Sequence, residues 1–138
     1  MIAIISGPSG SGKSTMANLR GNRILVDDDC IIVHRYNGHF RMITEISYQD
    51  RLKEFPSSAG NINFIFFLQK AKKNYIIPVK DTIAVIKLIQ NATLTFWDRS
   101  TIDAILKFFT KFVKDIPCYR LSFLPNKTVW DFLAKSFK

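Results

Sequence analysis

At 138 residues, with 47% hydrophobic and 13% aromatic side chains, the chain has enough apolar content to fill one core, and a single domain spanning 1-138 is expected. Twenty Lys and Arg against eleven Asp and Glu leave a formal charge of +9, which favours polyanionic company: nucleotides, RNA, DNA or an acidic protein. No window is apolar for the length of a membrane span, and "MIAIISGPSGSGK" lacks the basic start of a signal peptide, so a soluble, cytoplasmic protein without a membrane partner is expected.

In chain order, "MIAIIS" reads as a short buried strand, and the glycine-rich segment after it leads into a helix over "KSTMANLR" that Gly21 ends. "NRILVDDD" reads as a second strand whose apolar part stops at Asp27, Asp28 and Asp29. Acidic residues in that position face the ligand crevice of an open α/β sheet, although a solvated turn or a helix cap would use the same letters. A small inserted cap or substrate segment is placed at about 33-63, with a turn at Asn37-Gly38 and helical spacing in "TEISYQDRLKEF". The run "INFIFFLQKAKKN" fits strand or helix, and its length and Lys-rich tail lean to a helix.

From Asn74 onward the alternation is regular: strand "YIIPV", helix "DTIAVIKLIQN", strand "ATLTFW", helix "STIDAILKFFTKFVKD", strand "CYRLSF" and helix "NKTVWDFLAKSF". Such alternation implies crossover units and a mostly parallel, roughly five-stranded sheet covered on both sides, the three-layer α/β class. Pro78 marks a bulge or the edge of the ladder, because proline cannot donate to it. In the long helix Ile102, Ile105, Leu106, Phe109, Phe112 and Val113 share one face, with Lys107, Lys111 and Lys114 opposite; a solvated outer face is the default reading of those lysines. Cys30 and Cys118 have no metal-type spacing and read as core thiols.

"GPSGSGKST" over residues 7 to 15 has the spacing G-x-x-x-x-G-K-[ST], directly after a strand and opening a helix. Glycines let backbone N-H groups wrap a phosphate, and a lysine at that spacing neutralises its charge. Gly7, Gly10 and Gly12 supply the freedom, Lys13 the cation, Ser14 a hydroxyl for Mg2+, and Ser11 and Thr15 further donors. Phosphoryl transfer also needs a carboxylate for the metal, charge stabilisation and a positioned acceptor. Asp28 is the candidate acceptor contact or base, Asp81 the candidate for the metal shell and Arg99 a candidate catalytic arginine. Arg35, Tyr36 and Arg41 are candidate substrate contacts.

"ISGPSGSGKST" resembles the phosphate-binding loop of guanylate kinases nearly letter for letter, including Pro8 and Ser9. "NYIIPVKDTIAVIK" is similar to the family's third core strand and following helix. "ATLTFWDRSTIDAIL" is similar to the next strand and corner, with Ser100 at the serine, and "YRLSFLPNKTVWDFL" to the closing strand and helix. The resemblance implies a P-loop NTPase fold, ATP and Mg2+ as cofactors, a nucleotide substrate, and Asn126 near the adenine. The family's guanylate-gripping segments and arginine-bearing lid have no counterpart here, and its strand-end aspartate aligns with Lys80, one residue before Asp81. A strand ending in Asp-Asp after this loop also resembles polynucleotide 5'-hydroxyl kinases, which would make Asp28 the residue that activates a hydroxyl; their partnering arginine falls on Ile31, a turn before Arg35.

Three functions are consistent with these residues. The first is an ATP-dependent phosphotransferase acting on a nucleoside monophosphate or related small nucleotide. The second is a kinase acting on nucleic acid, which suits the basic surface. The third is a degenerate nucleotide-binding module that engages a protein or RNA partner.

Overall fold

The computed structural model of the chain describes residues 2–21, 31–44, 61–92 and 98–137. The opening residues form β1 (Ala3–Ser6), and the glycine-rich segment leads into α1 (Lys13–Asn18). A hairpin follows, β2 (Ile31–Tyr36) and β3 (His39–Thr44), paired antiparallel. Its turn residues Asn37 and Gly38 have φ of 48° and 79°, and two positive values are what a two-residue turn needs to match the twist of its strands. The expected strand "NRILVDDD" and the helical spacing of 45–55 lie outside the described residues, as does "ATLTFW" beyond Ala92.

The segment leaning to a helix in sequence is a strand, β4 (Phe64–Lys70). Its apolar run lacks alternation because both faces are covered: Ile65 and Phe67 point into one core, Phe66 and Leu68 into the other. The lysines that seemed to be a helical tail form the connection to β5 (Tyr75–Pro78). That connection is only four residues, Ala71 to Asn74, too short for a parallel crossover, and β5 pairs antiparallel with β6 (Cys118–Phe123). Among the described residues β5 is an edge strand, and Pro78 closes it, where its missing donor costs no ladder bond.

Among the described residues the main sheet has four strands in the order β1-β4-β6-β5, with β1, β4 and β6 parallel. This is a mostly parallel α/β arrangement. The α2 helix (Asp81–Asn91) and the α3 helix (Arg99–Asp115) cover the face of Ile65, Phe67 and Cys118, and Phe40 of the hairpin enters the same core against Phe108 and Phe112. Met16 of α1, and Val129 and Leu133 of α4 (Thr128–Ser136), cover the opposite face with Leu121 and Phe123. No described helix is long and apolar enough to cross a membrane.

The apolar face of α3 differs from the expected one: Phe109, Phe112 and Val113 pack on the core as expected, whereas Ile102 and Ile105 are half-buried. Phe108 packs on the core, while Leu106 is 40% exposed beside the lysines. Replacing Phe112, 1% exposed, with Ala removes a buried ring from this core and is expected to cost about 3–5 kcal/mol in urea unfolding, whereas Leu106→Ala is expected to cost less than about 1 kcal/mol.

Candidate phosphate-binding site

The segment from Gly7 to Gly12 lies at the carboxyl end of β1, the end of a parallel sheet at which ligands bind. Its floor comes from the neighbouring strands. A Cβ on Gly12 would lie 2.6 Å from Cζ of Phe123, the last residue of β6, and 3.3 Å from Cε of Lys70, the last residue of β4. Gly12 also has φ of 107°, so both its backbone and its surroundings exclude a side chain. A Cβ on Gly7 would collide with the Ser11 hydroxyl and lie 2.9 Å from Ser11 Cβ.

Within this tight loop, Ser11 N donates to Pro8 O at 3.1 Å and Met16 N donates to Gly12 O at 2.9 Å. The Lys13 ammonium folds back over the turn, donating to Gly7 O at 2.7 Å and Pro8 O at 2.9 Å. Ser11 Oγ is buried and has no hydrogen-bond partner. Pro8, Ser9 and Gly10 are exposed at the crest, Ser14 is exposed in the first turn of α1, and Thr15 is half-buried. These residues fit a phosphate: a cradle closed to Cβ atoms, a donor hydroxyl lacking a partner and a folded-back cation are complementary to a group with charged oxygens.

The fit to Mg2+ is only partial among the described residues. Ser14 offers its hydroxyl, but β4, the strand beside β1, ends in Gln69 and Lys70 where a carboxylate would be needed. The sequence assigned that role to Asp81, and the topology places it elsewhere. Because β5 is antiparallel, its carboxyl end and the start of α2 lie beside Cys118, where Val79 N donates to Cys118 O at 3.0 Å. Cys118 and Phe123 are the two ends of β6, about 17 Å apart at the usual rise per residue, so Asp81 and Ser14 belong to opposite ends of the sheet. Asp28 lies outside the described residues.

Arg99 is at the amino end of α3, whose carboxyl end joins β6 at the far side through Ile116 and Pro117. Seventeen residues of helix, about 25 Å long, separate it from that junction, and no described contact joins it to the loop. Asp98 caps that helix, accepting from Thr101 N at 3.3 Å. Asn126 follows β6 at the loop end, where its side-chain oxygen accepts from Thr128 N at 2.9 Å and also from the Thr128 hydroxyl, fastening the start of α4.

The hairpin candidates are not brought to the loop by any described contact. Arg41 Nε donates to Asn61 Oδ1 at 3.2 Å, and Asn61 precedes β4 at the end opposite the loop. The Arg41 guanidinium lies 5.4 Å from the Tyr36 ring centre and that of Arg35 lies 5.9 Å from the Phe40 ring centre, which makes them parts of the hairpin's own packing. Lys70 was missed in sequence because it was read as part of a helix; as the last residue of a strand next to the loop, it is a second cation at the site.

Comparison of the chain with protein-family models, with curated proteins and with solved structures gives no match. The functional reading therefore rests on the residues themselves.

Two outcomes test this geometry. Gly12→Ala is expected to abolish binding of a fluorescent ATP analogue, because the new methyl meets Phe123 and the loop cannot keep its φ. At the far end, burial, and secondarily the Asp81 carboxylate, push the Cys118 thiol up to about 12. The folded state then holds its proton more tightly than the unfolded chain, so the contribution is complete below about pH 9 and is lost as pH rises through about 12. Chemical denaturation in a Cys30→Ser background is expected to show stability falling across that window, with a smaller fall in Cys118→Ala.

Proposed function

We propose that the chain is an ATP-dependent phosphotransferase of the nucleotide-kinase type, built on a P-loop NTPase fold. The observation that carries this reading is the Gly7–Gly12 cradle, closed to Cβ atoms by Ser11 and Phe123, with Lys13 folded across it. Strand β1, the loop and α1 succeed one another as phosphate binding requires, and helices lie on both sides of a mostly parallel sheet.

In this reading the loop N-H groups and Lys13 hold the β and γ phosphates of ATP. Ser14 would offer its hydroxyl to Mg2+, which would supply neutralisation of the phosphate charge. An acceptor oxygen forms a bond to the γ-phosphorus as the bond to the bridging oxygen breaks and ADP leaves. Where the acceptor is a hydroxyl, its proton passes to Asp28. Arg99 is the candidate to stabilise charge on the moving phosphoryl group, a role that must be filled because the arginine-bearing lid has no counterpart in the sequence.

ADP release from ATP and Mg2+ tests the proposal, with each nucleoside and deoxynucleoside monophosphate and then a 5'-hydroxyl oligonucleotide as acceptor. Turnover is expected to rise with one acceptor class and to fall about a hundredfold or more in Lys13→Ala, the scale for removing a donor at a developing charge. ATP binding without acceptor-stimulated turnover would overturn the enzyme assignment in favour of a nucleotide-binding module.

A further inference from the structure

Strand β6 serves both cores, and on one of its faces the chemistry changes toward the carboxyl end. Leu121 and Phe123 pack with α1 and α4, whereas Cys118 joins the core under α2 and α3. Alternation places Arg120 and Ser122 on the Cys118 face, where a strand covered on both sides would carry apolar residues. Ser122 is 0% exposed, the sole buried polar residue among those described, and its Oγ has no hydrogen-bond partner. Arg120 Nε is likewise buried and unpartnered. Buried polar groups in folded proteins are nearly always hydrogen-bonded, so two orphans on one face of one strand call for a partner from outside the chain.

A lysine of α2 approaches the same face. Asn91 Nδ2 donates to Ser6 Oγ at 3.2 Å, fastening the last turn of α2 to the carboxyl end of β1. Lys87, four residues earlier and therefore on the same side of the helix, has its ammonium 5.7 Å from the Phe67 ring centre. Phe67 is the register partner of Arg120, and the two backbones are about 5 Å apart at the usual strand spacing. The Phe67 ring is thus flanked by a guanidinium from β6 and an ammonium from α2. Both cations are half-buried, and no described carboxylate is paired with either. Like charges gathered away from water repel unless an anion lies between them. A carboxylate would balance one of the two; a doubly charged oxyanion balances both and still has an oxygen to accept from the Ser122 hydroxyl.

We propose that Arg120, Ser122 and Lys87 form a second anion site that takes a phosphate dianion, either inorganic phosphate or the end of a small phosphomonoester. Ser122 and Phe123 are consecutive and point to opposite faces of the sheet, and it is Phe123 that meets Gly12. The site therefore lies behind the floor of the glycine-rich loop, shares none of its side chains, and holds its anion whether or not the loop binds ATP.

The test is an NMR titration of the backbone amides of the full chain carrying Lys13→Ala, which removes the cation of the loop. Inorganic phosphate, glycerol 3-phosphate and acetate are added in separate series at constant ionic strength. Saturable shifts are expected at Lys87 and at residues 120 to 123 with both phosphates and not with acetate, and the tighter of the two identifies the source of the group. Ser122→Ala deletes only the hydroxyl and is expected to weaken phosphate binding about tenfold or more, the scale of one hydrogen bond to a charged group, while the urea midpoint stays the same or rises because a buried orphan is gone. Lys87→Met keeps the length of the side chain without its charge and is expected to weaken binding to a similar degree. Shifts confined to residues 7 to 15, an equal response to acetate, or unchanged phosphate affinity in either variant would each overturn the site.

Discussion

The loop end of this protein depends on one strand having no solvent-facing side. β4 pairs with β1 through one edge and β6 through the other, and its side chains enter both cores. A strand so enclosed cannot shift by one residue without exchanging its two buried sets, which fixes its register. Fixing the register fixes where Leu68 and Lys70 end beside the loop. From β6, Phe123 reaches the same place and presses its ring against Gly12. The cradle is thus shaped from below by aromatic packing, and the polar features of the site rest on an apolar floor.

The same enclosure explains what the sequence disclosed and what it did not. Amphipathic elements that cover the sheet, such as α2, α3 and α4, present periodic patterns, and their extents follow from those patterns. The Asn37-Gly38 turn was legible because few residues tolerate its conformation. By contrast, Phe64 to Leu68 has no periodicity to read, since every position is apolar for a reason, and aromatic bulk followed by lysines resembles a helix as readily as a strand. That single ambiguity propagated. With β4 taken as a helix, β5 appeared to follow a crossover and to run parallel; recognised as a strand, it leaves four connecting residues and forces β5 to reverse.

The candidate site was legible to the same depth. The loop proposed to hold phosphate, Gly7 to Thr15, was found by spacing alone, since the backbone groups it would use are close to one another in sequence. Asp81 was misplaced because a strand's direction decides which end of the sheet its last residue reaches, and direction is a property of the whole topology. Lys70 was hidden for the converse reason: its neighbour Gly12 is far away in sequence and close only through the pairing of β1 with β4. The arginines of the hairpin were attractive by charge, yet guanidinium groups can stack on rings, and Arg35 and Arg41 do so beside Phe40 and Tyr36.

The posture of Lys13 has a bearing on selectivity. With its ammonium donating to two carbonyl oxygens of its own loop, Lys13 is already partnered, and in the proposed role an incoming anion must displace those contacts before it gains the cation. Charge-assisted hydrogen bonds of this kind are about twice as strong as neutral ones, so a weak monoanion such as chloride or acetate exchanges one partner for another at little advantage. An anion with several charged oxygens engages the lysine, the Ser11 hydroxyl and the loop N-H groups together, and only such a group recovers more than it displaces. In the proposed phosphate site the self-contact would thereby act as a threshold, disfavouring small anions relative to polyphosphates.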